Sequence, residues 1–408
     1  MNTVVWNKKM SDNPQLYLSK TELKAELERC LNCKTRPCMN ACPVNCNPQE
    51  FISHARRGNF REAIKTISRN NPMGQTCGLI CPDKFCMRAC TRRKIDSAVR
   101  IPCIQAALFR HYRTIPEQSR PAEYNGKNIA VIGSGPAGIA AASVLSSQGC
   151  KVCIFECDSQ IGGALNLIPD SRLPHAVIEQ DWKYVFHPQL MTLKLNTRID
   201  NIRELFNRGF DGVIAAGGEP NCAELQIPGE KHCLSHLEYL RHPHKYKTAE
   251  RVAVIGGGNV AADCAFTARS NGAGHVEMFV RRRESDMRIS QAEYQELLNR
   301  GINITPLTSP QKVVRGNSGL DFYVYKNLWK NNRLLPIPDS VHKLPGFDLI
   351  IKAVGSYADP KLEHERIIYA GDCKTGGSTI VEALASGRAA AETMLKLVSN
   401  EKAAANFD

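Results

Sequence analysis

The sequence has no long apolar run. No stretch approaches the roughly 18 uncharged apolar residues that a membrane-spanning helix needs, and the opening MNTVVWNKKMSDNPQ lacks the apolar core of a secretory signal. Low-complexity tracts are also missing, and 43% apolar with 23% charged residues is the balance of a folded protein. We therefore expect a cytoplasmic globular protein without a membrane partner.

Acidic residues are outnumbered by basic ones. The 53 Lys and Arg against 40 Asp and Glu give a net charge of +13, and an excess of this size can indicate nucleic-acid binding. Many of the basic residues, however, lie near cysteines or follow an apolar run at 276–280. Because anionic cofactors at those places would neutralise part of the charge, we expect no nucleic-acid partner.

Cysteine is abundant, and its distribution is uneven. Ten of the 17 cysteines fall within residues 30 to 103, and cytoplasmic thiols stay reduced, so metal binding or catalysis is expected before disulfides. A polar connector with two prolines, Thr114–Lys127, follows this region. Upstream, the periodicity predicts helices over 20–29 and 48–70.

Downstream of the connector, short β-branched runs alternate with helical stretches. The predicted strands are Ile129–Ile132, Val152–Phe155, Val213–Ala215, Val252–Ile255, Val276–Val280 and Leu349–Ile351. This alternation is typical of parallel sheets covered by helices.

The cysteines of the N-terminal region form two runs. They are Cys30-x2-Cys33-x4-Cys38-x3-Cys42-Pro43 and Cys77-x3-Cys81-Pro82-x3-Cys86-x3-Cys90. Eight thiolates at these spacings suit two four-iron clusters. A pair of zinc sites is the alternative, but zinc sites usually show paired C-x2-C knuckles and only one is present.

The ligands are expected to cross between the runs. In two-cluster ferredoxins the cysteine before the proline ligates the other cluster. The predicted sets are Cys30, Cys33, Cys38 and Cys90 for the first cluster, and Cys42, Cys81 and Cys86 for the second. By spacing, the fourth ligand of the second cluster is Cys77, with Cys46 and Cys103 as further candidates that could equally be small buried apolar residues.

A first dinucleotide motif follows the strand at 129–132. It places Gly133, Gly135, Pro136, Ala137 and Gly138 between this strand and a helix, where a pyrophosphate can approach the helix N-terminus. The next strand ends in Glu156, an acid suited to ribose hydroxyls.

A second motif follows the strand at 252–255. Its turn and helix start contain Gly256, Gly258, Asn259, Val260 and Ala261. The next strand ends in Arg281, Arg282 and Arg283, and guanidinium groups suit a ribose 2′-phosphate. The motif therefore favours NADPH over NADH, which stays possible; a solvated basic loop is the alternative.

A third element assigns the first motif to flavin. Gly371-Asp372 ends a predicted strand, and Asp372 would accept a hydrogen bond from the ribityl chain. A helix is predicted from Thr379 to Ala390, and the N-terminus of this helix can stabilise negative charge on a reduced isoalloxazine. Gly163 completes the predicted flavin-binding set. Disulfide-reductase chemistry is disfavoured, because Cys150 and Cys153 would point to opposite faces of a strand.

The combined order of motifs resembles a known flavoprotein family over residues 25 to 395. The cysteine runs, GSGPAG, GGGNVAAD, YAGD and TIVEALASGRAA are similar to those of the glutamate synthase small (β) subunit and of the dihydropyrimidine dehydrogenase N-terminal half or flavoprotein subunit. The resemblance implies hydride transfer from NAD(P)H to FAD, then single-electron transfer through two 4Fe-4S clusters to a catalytic partner subunit. It also implies that Gln105 completes the second cluster, ahead of Cys77.

We therefore expect an α/β protein in which a helical double iron–sulfur domain precedes two Rossmann-like domains, the second inserted in the first. The predicted boundaries are 1–115 for the iron–sulfur domain, 120–235 and 344–408 for the FAD domain, and 236–343 for the NAD(P)H domain. Two departures from the family stand out: only 15 residues separate Gly355 from Gly371, and the Asp that is usual after the first cluster motif is replaced around Cys46-Asn47-Pro48.

Hydride transfer requires alignment more than an acid or base, so no catalytic side chain is expected. Two other functions remain open. One is a self-sufficient NADPH:ferredoxin or quinone reductase, and the other is a zinc-stabilised, redox-inert nucleotide-binding protein. The substrate of a partner subunit is not visible in this sequence.

Overall fold

The structure, a computed structural model, describes residues 16–113, 122–219, 221–359 and 362–404. The chain forms two compact units. The first comprises Met1–Gly163, Asp170–Gly218 and Lys361–Asp408, and the second Ala164–Pro169 and Glu219–Pro360. Residues 114–121 of the predicted connector lie outside the described residues, and the predicted domain boundaries stay predictions.

The first unit begins with short helices. They are α1 (Lys20–Glu28), α2 (Pro37–Asn40), α3 (Pro48–Arg56), α4 (Phe60–Ser68), α5 (Gly74–Ile80) and α6 (Ile101–Tyr112). Ser19 and Glu22 form a capping box that fixes the start of α1. The helical stretch predicted over 48–70 is two helices, because Gly58 takes a φ of 77° between them.

A strand and helix alternation follows. Its elements are β1 (Asn128–Ile132), α7 (Pro136–Ser147), β2 (Lys151–Phe155), α8 (His175–Val185), β3 (Met191–Lys194), α9 (Glu204–Asn207) and β4 (Gly212–Ala215).

The second unit contains a similar alternation and an antiparallel addition. Its elements are β5 (Asn221–Cys222), β6 (Leu234–Ser235), α10 (His236–Arg241), β7 (Arg251–Ile255), α11 (Asn259–Ser270), β8 (His275–Phe279), α12 (Gln291–Asn299), β9 (Asn303–Thr305), β10 (Thr308–Gly316), β11 (Gly319–Lys330), β12 (Arg333–Pro336), β13 (His342–Phe347), β14 (Leu349–Lys352) and β15 (Ser356–Tyr357). The chain then returns to the first unit with β16 (Ile367–Tyr369), α13 (Asp372–Thr375) and α14 (Ile380–Ala404).

Each unit is built on a parallel five-stranded sheet. The strand order is β16-β4-β1-β2-β3 in the first unit and β6-β14-β7-β8-β9 in the second. β1 and β7 therefore lie centrally, and each leads directly into a glycine turn and a helix. The fold class predicted from the sequence is confirmed, since helices precede two Rossmann-like parallel sheets.

The antiparallel sheet of β10 to β13 was not predicted. β11 pairs with β10, β12 and β13, and Phe322 and Phe347 pack with Phe279 of β8 in one buried cluster. No helix among the described residues is long and apolar enough to cross a membrane.

Candidate cofactor sites

Four thiols gather around one cavity of the helical region. Cys30, Cys33 and Cys38 of the first run and Cys90 of the second run all line it, together with apolar residues such as Ile52. Burial, together with the neighbouring thiols of Cys30 and Cys90, raises the pKa of Cys38 to about 11. Cys42 is not among the residues that line this cavity. We call these four residues the first thiol group.

Cys42, Cys81 and Cys86 form the second thiol group. Burial raises the pKa of Cys81 to about 12, and the nearby Cys42 thiol adds to the effect. Burial also raises the pKa of Cys86 well above its usual value, with Cys81 and Cys42 as neighbours. The Cys42 sulfur faces the backbone N–H groups of residues 44 to 46, which partly offset its burial. Such N–H groups stabilise a ligating thiolate.

Three candidates for a fourth ligand lie near this group. Cys77 is buried one helical turn before Cys81, whose N–H donates to its carbonyl at 2.9 Å. Cys46 is also buried, with Cys42 and Cys81 as neighbours. The Gln105 side chain is buried and its Nε2 donates to the Gly74 carbonyl at 2.5 Å, so Oε1 is the amide atom left with the role of acceptor.

Cys103 belongs to neither thiol group. It is half-buried, and its charged neighbours are Arg100 and Glu26. The cysteines of both groups are all free thiols. Because thiolates that lie this close together repel one another unless a cation lies between them, each of the two groups fits a metal cluster that bears positive iron.

The second thiol group lies against the start of α14. Lys84, between Cys81 and Cys86 in the chain, pairs with Glu382 at 3.5 Å. Glu382 is close enough to Cys81 to raise the pKa of that thiol, after the larger effect of burial. The helical region and the flavin-type sheet therefore meet at this group.

A buried ion pair joins the same two parts of the first unit. Asp181 of α8 accepts from the Thr76 N–H and hydroxyl, both at 2.8 Å, and from Arg113 at 2.8 Å. The Asp181 side chain is fully buried and that of Arg113 is 8% exposed. The start of α5, whose far end leads to Cys81, is therefore held by a carboxylate from the Rossmann-like part.

The predicted flavin turn requires glycine at two positions. Gly133 has a φ of 96°, and a Cβ there would lie 2.4 Å from the Ala216 carbonyl oxygen. A Cβ at Gly138 would lie 2.0 Å from the Gly133 oxygen. At Gly135 the nearest atoms, in Gly162 and Gly163, are 3.9 and 4.0 Å from a Cβ, which leaves room beside the turn. Pro136 and Ala137 then open α7.

Glu156 lies at the end of β2, beside this turn. The side chain is buried, and one carboxylate oxygen accepts from the Ser134 N–H at 2.8 Å and from its hydroxyl at 2.6 Å. The other oxygen accepts from the Asp158 N–H at 2.9 Å. The carboxylate is therefore held in a fixed orientation beside the turn.

The Gly371-Asp372 segment follows β16. Gly371 has a φ of 70°, and its N–H donates to Ser386 of α14 at 2.9 Å. Asp372 accepts from the Ser378 hydroxyl at 2.5 Å, and burial raises its pKa. Thr379 donates through its N–H and hydroxyl to Glu382 and precedes α14, which begins at Ile380 and continues beyond the predicted end at Ala390.

The second unit contains the turn that was predicted to bind the nicotinamide nucleotide. Gly256 has a φ of 147°, and a Cβ there would lie 2.3 Å from the Ala353 oxygen. Gly258 has open space around it, and α11 begins at Asn259 with Val260 exposed. Ala261 occupies the third position of the motif.

Two of the three predicted arginines line an open cleft. Arg281 and Arg282 border a volume of about 570 Å³ with Tyr325, Asn327 and Trp329 of β11. Arg283 is not among the residues that line the cleft, but it is held at its edge: it pairs with Asp286 at 2.8 and 2.9 Å and stacks over Trp329 at 4.7 Å, and both of these partners line the cleft. The structure thus divides the basic run into two cleft arginines and one structural arginine.

Arg288 was not among the predicted site residues. Its N–H donates to the Gly257 oxygen at 2.9 Å, and it forms an isolated bridge with Gly258 of the turn. Its exposed side chain has no ion pair with any described residue. The sequence signal that could have identified Arg288 as a candidate site residue is its position shortly after the run Arg281–Arg283.

Comparison with known proteins identifies the parts. Residues 7–114 match the family described as dihydropyrimidine dehydrogenase domain II, 4Fe-4S cluster. Residues 131–184 match the NAD(P)-binding Rossmann-like domain, and residues 210–387 match the pyridine nucleotide-disulphide oxidoreductase family.

The chain is similar over most of its length to two kinds of curated subunit. The NAD-dependent dihydropyrimidine dehydrogenase subunit PreT of Escherichia coli (strain K12) is 29% identical over 396 residues, which cover 90% of this chain and 92% of PreT. The predicted family resemblance is confirmed. The glutamate synthase [NADPH] small chain of the same organism is 27% identical, with 92% of each chain covered.

The chain is therefore an NAD(P)-dependent oxidoreductase with a 4Fe-4S domain, and it is similar in sequence to PreT and to the glutamate synthase small chain. Among solved structures, Mycobacterium tuberculosis FprA in complex with NADPH superposes with a TM-score of 0.59 and 20% identity. The match covers 68% of this chain and 86% of FprA, and it supports the fold alone.

Proposed function

We propose that this chain is an electron-input subunit, which takes hydride from NADPH with FAD and delivers single electrons through two 4Fe-4S clusters to a catalytic partner. The observation that carries the proposal is the position of the second thiol group, which lies in the same unit as the flavin-type turn and against α14. When bound, FAD and the clusters supply the change from a two-electron to a one-electron carrier.

The flavin-binding role is assigned to the turn of the first unit. The proposed residues are Gly133, Gly135, Pro136, Ala137, Gly138, Glu156, Gly163, Gly371, Asp372 and Thr379. The backbone N–H groups at the start of α7 bind the pyrophosphate, and the fixed Glu156 carboxylate accepts hydrogen bonds from ribose hydroxyls. The N-terminus of α14 stabilises negative charge on the reduced isoalloxazine.

The NADPH-binding role is assigned to the second unit. The proposed residues are Gly256, Gly258, Asn259, Val260, Ala261, Arg281 and Arg282, with Arg288 added from the structure. The two cleft arginines favour a 2′-phosphate because their guanidinium groups can form charge-assisted hydrogen bonds with it. Arg283 is left out of this role because Asp286 and Trp329 already occupy it.

The cluster ligands are proposed to cross between the two cysteine runs. The first cluster takes the first thiol group, and the second takes Cys42, Cys81 and Cys86 with Gln105, for which Cys77 is the alternative. The anchored Nε2 of Gln105 supports an oxygen ligand, while the burial of Cys77 beside Cys81 supports the alternative.

A partner subunit is proposed from the relatives. PreT is named as a subunit of dihydropyrimidine dehydrogenase, and the second relative is the small chain of glutamate synthase. This chain covers about nine-tenths of each. The proposed route runs from FAD to the cluster at the second thiol group and then to the cluster at the first thiol group. A partner that reduces a pyrimidine or a glutamate-forming imine would receive the electrons from this last cluster.

Anaerobic purification tests this function. We expect bound FAD and about eight irons per chain, as two four-iron clusters require, and we expect NADPH to bleach the flavin absorption and produce two cluster signals by electron paramagnetic resonance. The presence of zinc instead of iron, or a flavin that NADPH does not reduce, would contradict the proposal. Rapid turnover of a physiological acceptor by the chain alone would favour the self-sufficient reductase.

A further inference from the structure

The surface around the first thiol group is basic with an apolar centre. The exposed cations are Lys34, Arg36, Arg88, Arg93 and Lys94, and the exposed apolar side chains are Leu31 and Ile95. We call these seven residues the basic face. Leu31 and Arg36 line the same cavity as the four cysteines, so the face adjoins the proposed first cluster.

The remaining cations of the face are tied to this cavity through short segments. Lys34 follows Cys33, while Arg93 and Lys94 follow the cavity-lining Thr91 and Arg92 in a 3-10 turn. The Arg93 guanidinium donates to the Arg88 carbonyl at 3.0 Å. All five cations therefore belong to one surface.

These five positive charges are not neutralised within the described part of the chain. None of them forms an ion pair with a described residue. The nearby carboxylate of Asp96 is already held by Arg92 at 2.8 Å and by Arg29 at 3.1 Å. Ile95 is 66% exposed and Leu31 42% exposed. Exposed aliphatic side chains within a charged rim are typical of protein interfaces.

We propose that the basic face is the docking surface for an electron-accepting protein whose own redox centre is surrounded by acidic residues. The inference rests on the proposed function and assigns the exit of electrons to the first thiol group. Charge complementarity would speed the encounter and orient the two redox centres. Overall, one NADPH reduces two one-electron acceptor molecules and yields NADP⁺ and one proton.

The test compares two acceptors of opposite charge with the full holoprotein. An acidic flavodoxin and the basic cytochrome c each receive electrons from the NADPH-reduced chain, and the second-order rate constant is measured against ionic strength. We expect the flavodoxin rate to fall as salt rises, because screening weakens attraction between exposed charges. We also expect Arg93→Glu/Lys94→Glu to lower the low-salt flavodoxin rate about tenfold or more.

The matched control is Arg57→Glu/Arg61→Glu. These arginines are also exposed and without ion pairs among the described residues, but they lie where α3 ends and α4 begins. The control should change the flavodoxin rate less than twofold. Iron content, FAD content and the rate of flavin reduction by NADPH should be unchanged in both double variants.

The proposal is overturned if both double variants lower the rate constant of electron transfer to flavodoxin equally, or if neither lowers it. It is also overturned if Arg93→Glu/Lys94→Glu lowers the rate constant for cytochrome c as much as the rate constant for flavodoxin. Binding of duplex DNA that disappears with Arg93→Glu/Lys94→Glu, while the flavodoxin rate is retained, would assign the face to nucleic acid and also overturn it. If NADPH fails to reduce the clusters of the unaltered protein, the proposed function itself is wrong, and the docking face is wrong with it.

Discussion

Arg281, Arg282 and Arg283 are adjacent in the chain but have different surroundings. The first two border the open cleft, whereas the third pairs with Asp286 and stacks on Trp329. A guanidinium that already has a carboxylate partner gains less from a phosphate, because it would have to exchange one charged partner for the other. Selectivity for a 2′-phosphate should therefore depend on Arg281 and Arg282.

The variant Arg281→Gln/Arg282→Gln tests this difference. Loss of hydrogen bonds to a charged group is worth about 1.5 to 3 kcal/mol, so the KM for NADPH should rise about tenfold to a hundredfold. The KM for NADH should change little, since NADH lacks the phosphate. Steady-state reduction of ferricyanide measures both values.

The control for this prediction is Arg315→Gln. Arg315 lies on β10 of the same unit, is exposed and forms no ion pair with the described residues. It should leave both KM values unchanged. An equal rise for NADPH and NADH in the double variant would show that the cleft arginines do not read the phosphate.

The sequence predicted much of these sites because the signals were local. A glycine turn after an apolar strand can be recognised from about ten consecutive residues, and the spacing of cysteines can be read within each short run. The different surroundings of Arg281, Arg282 and Arg283 could not be predicted, because the Trp329 ring that stacks on Arg283 comes from an antiparallel strand far along the chain. Spacing alone favours Cys77 as the fourth ligand, whereas Gln105 could be proposed only from the family resemblance, because it comes from α6 and is held against α5 by its hydrogen bond to Gly74.

At the scale of elements, the backbones of α7 and α14 approach each other closely where Gly387 of α14 faces Ala137 of α7. A Cβ at Gly387 would lie 2.0 Å from the Ala137 carbonyl oxygen, and a Cβ at Gly371 would lie 2.8 Å from the Ala137 side chain. Both proposed flavin-binding helices therefore hold their positions only if no side chain separates them.

Gly387→Ala should push α14 away from α7. Overpacking of this kind costs typically 1 to 3 kcal/mol, and we expect a lower melting temperature and faster release of FAD on dilution. The control Ala389→Ser also adds one heavy atom to α14, but on its exposed side, and should change neither quantity. Unaltered FAD retention in Gly387→Ala would show that this helix contact does not shape the flavin site.

Most of the parallel strands were predicted, whereas the short parallel strands β3, β6 and β9 and the antiparallel strands were not. β1, β2, β7 and β8 begin within one residue of the predicted strands, since each is a short apolar run in which most residues are buried. β10 to β13 have mixed burial, and the register of β10 shifts between Pro310 and Lys312. Such strands lack the continuous apolar pattern that identifies a buried strand.

At the scale of the first unit, several side-chain contacts join the cysteine region to the flavin-type sheet, and two of them lie near the second thiol group or the helix that leads to it. Asp181 binds the start of α5, and Glu382 pairs with Lys84 beside Cys81. Both contacts are remote in sequence, so spacing alone could not predict them. They place the second thiol group next to α14, and the proposed order of electron transfer follows from this position.

The most direct test of this account is stopped-flow reduction by NADPH of the unaltered protein and of the variants Cys42→Ala and Cys90→Ala, followed at flavin and cluster wavelengths. Each variant should keep about four irons in its remaining cluster. We predict that the flavin bleaches at the same rate in all three proteins and that the remaining cluster of Cys90→Ala is reduced as fast as in the unaltered protein. The remaining cluster of Cys42→Ala should be reduced far more slowly, because its electrons must cross the gap that the second cluster normally fills. Equally fast reduction of that cluster would contradict the relay.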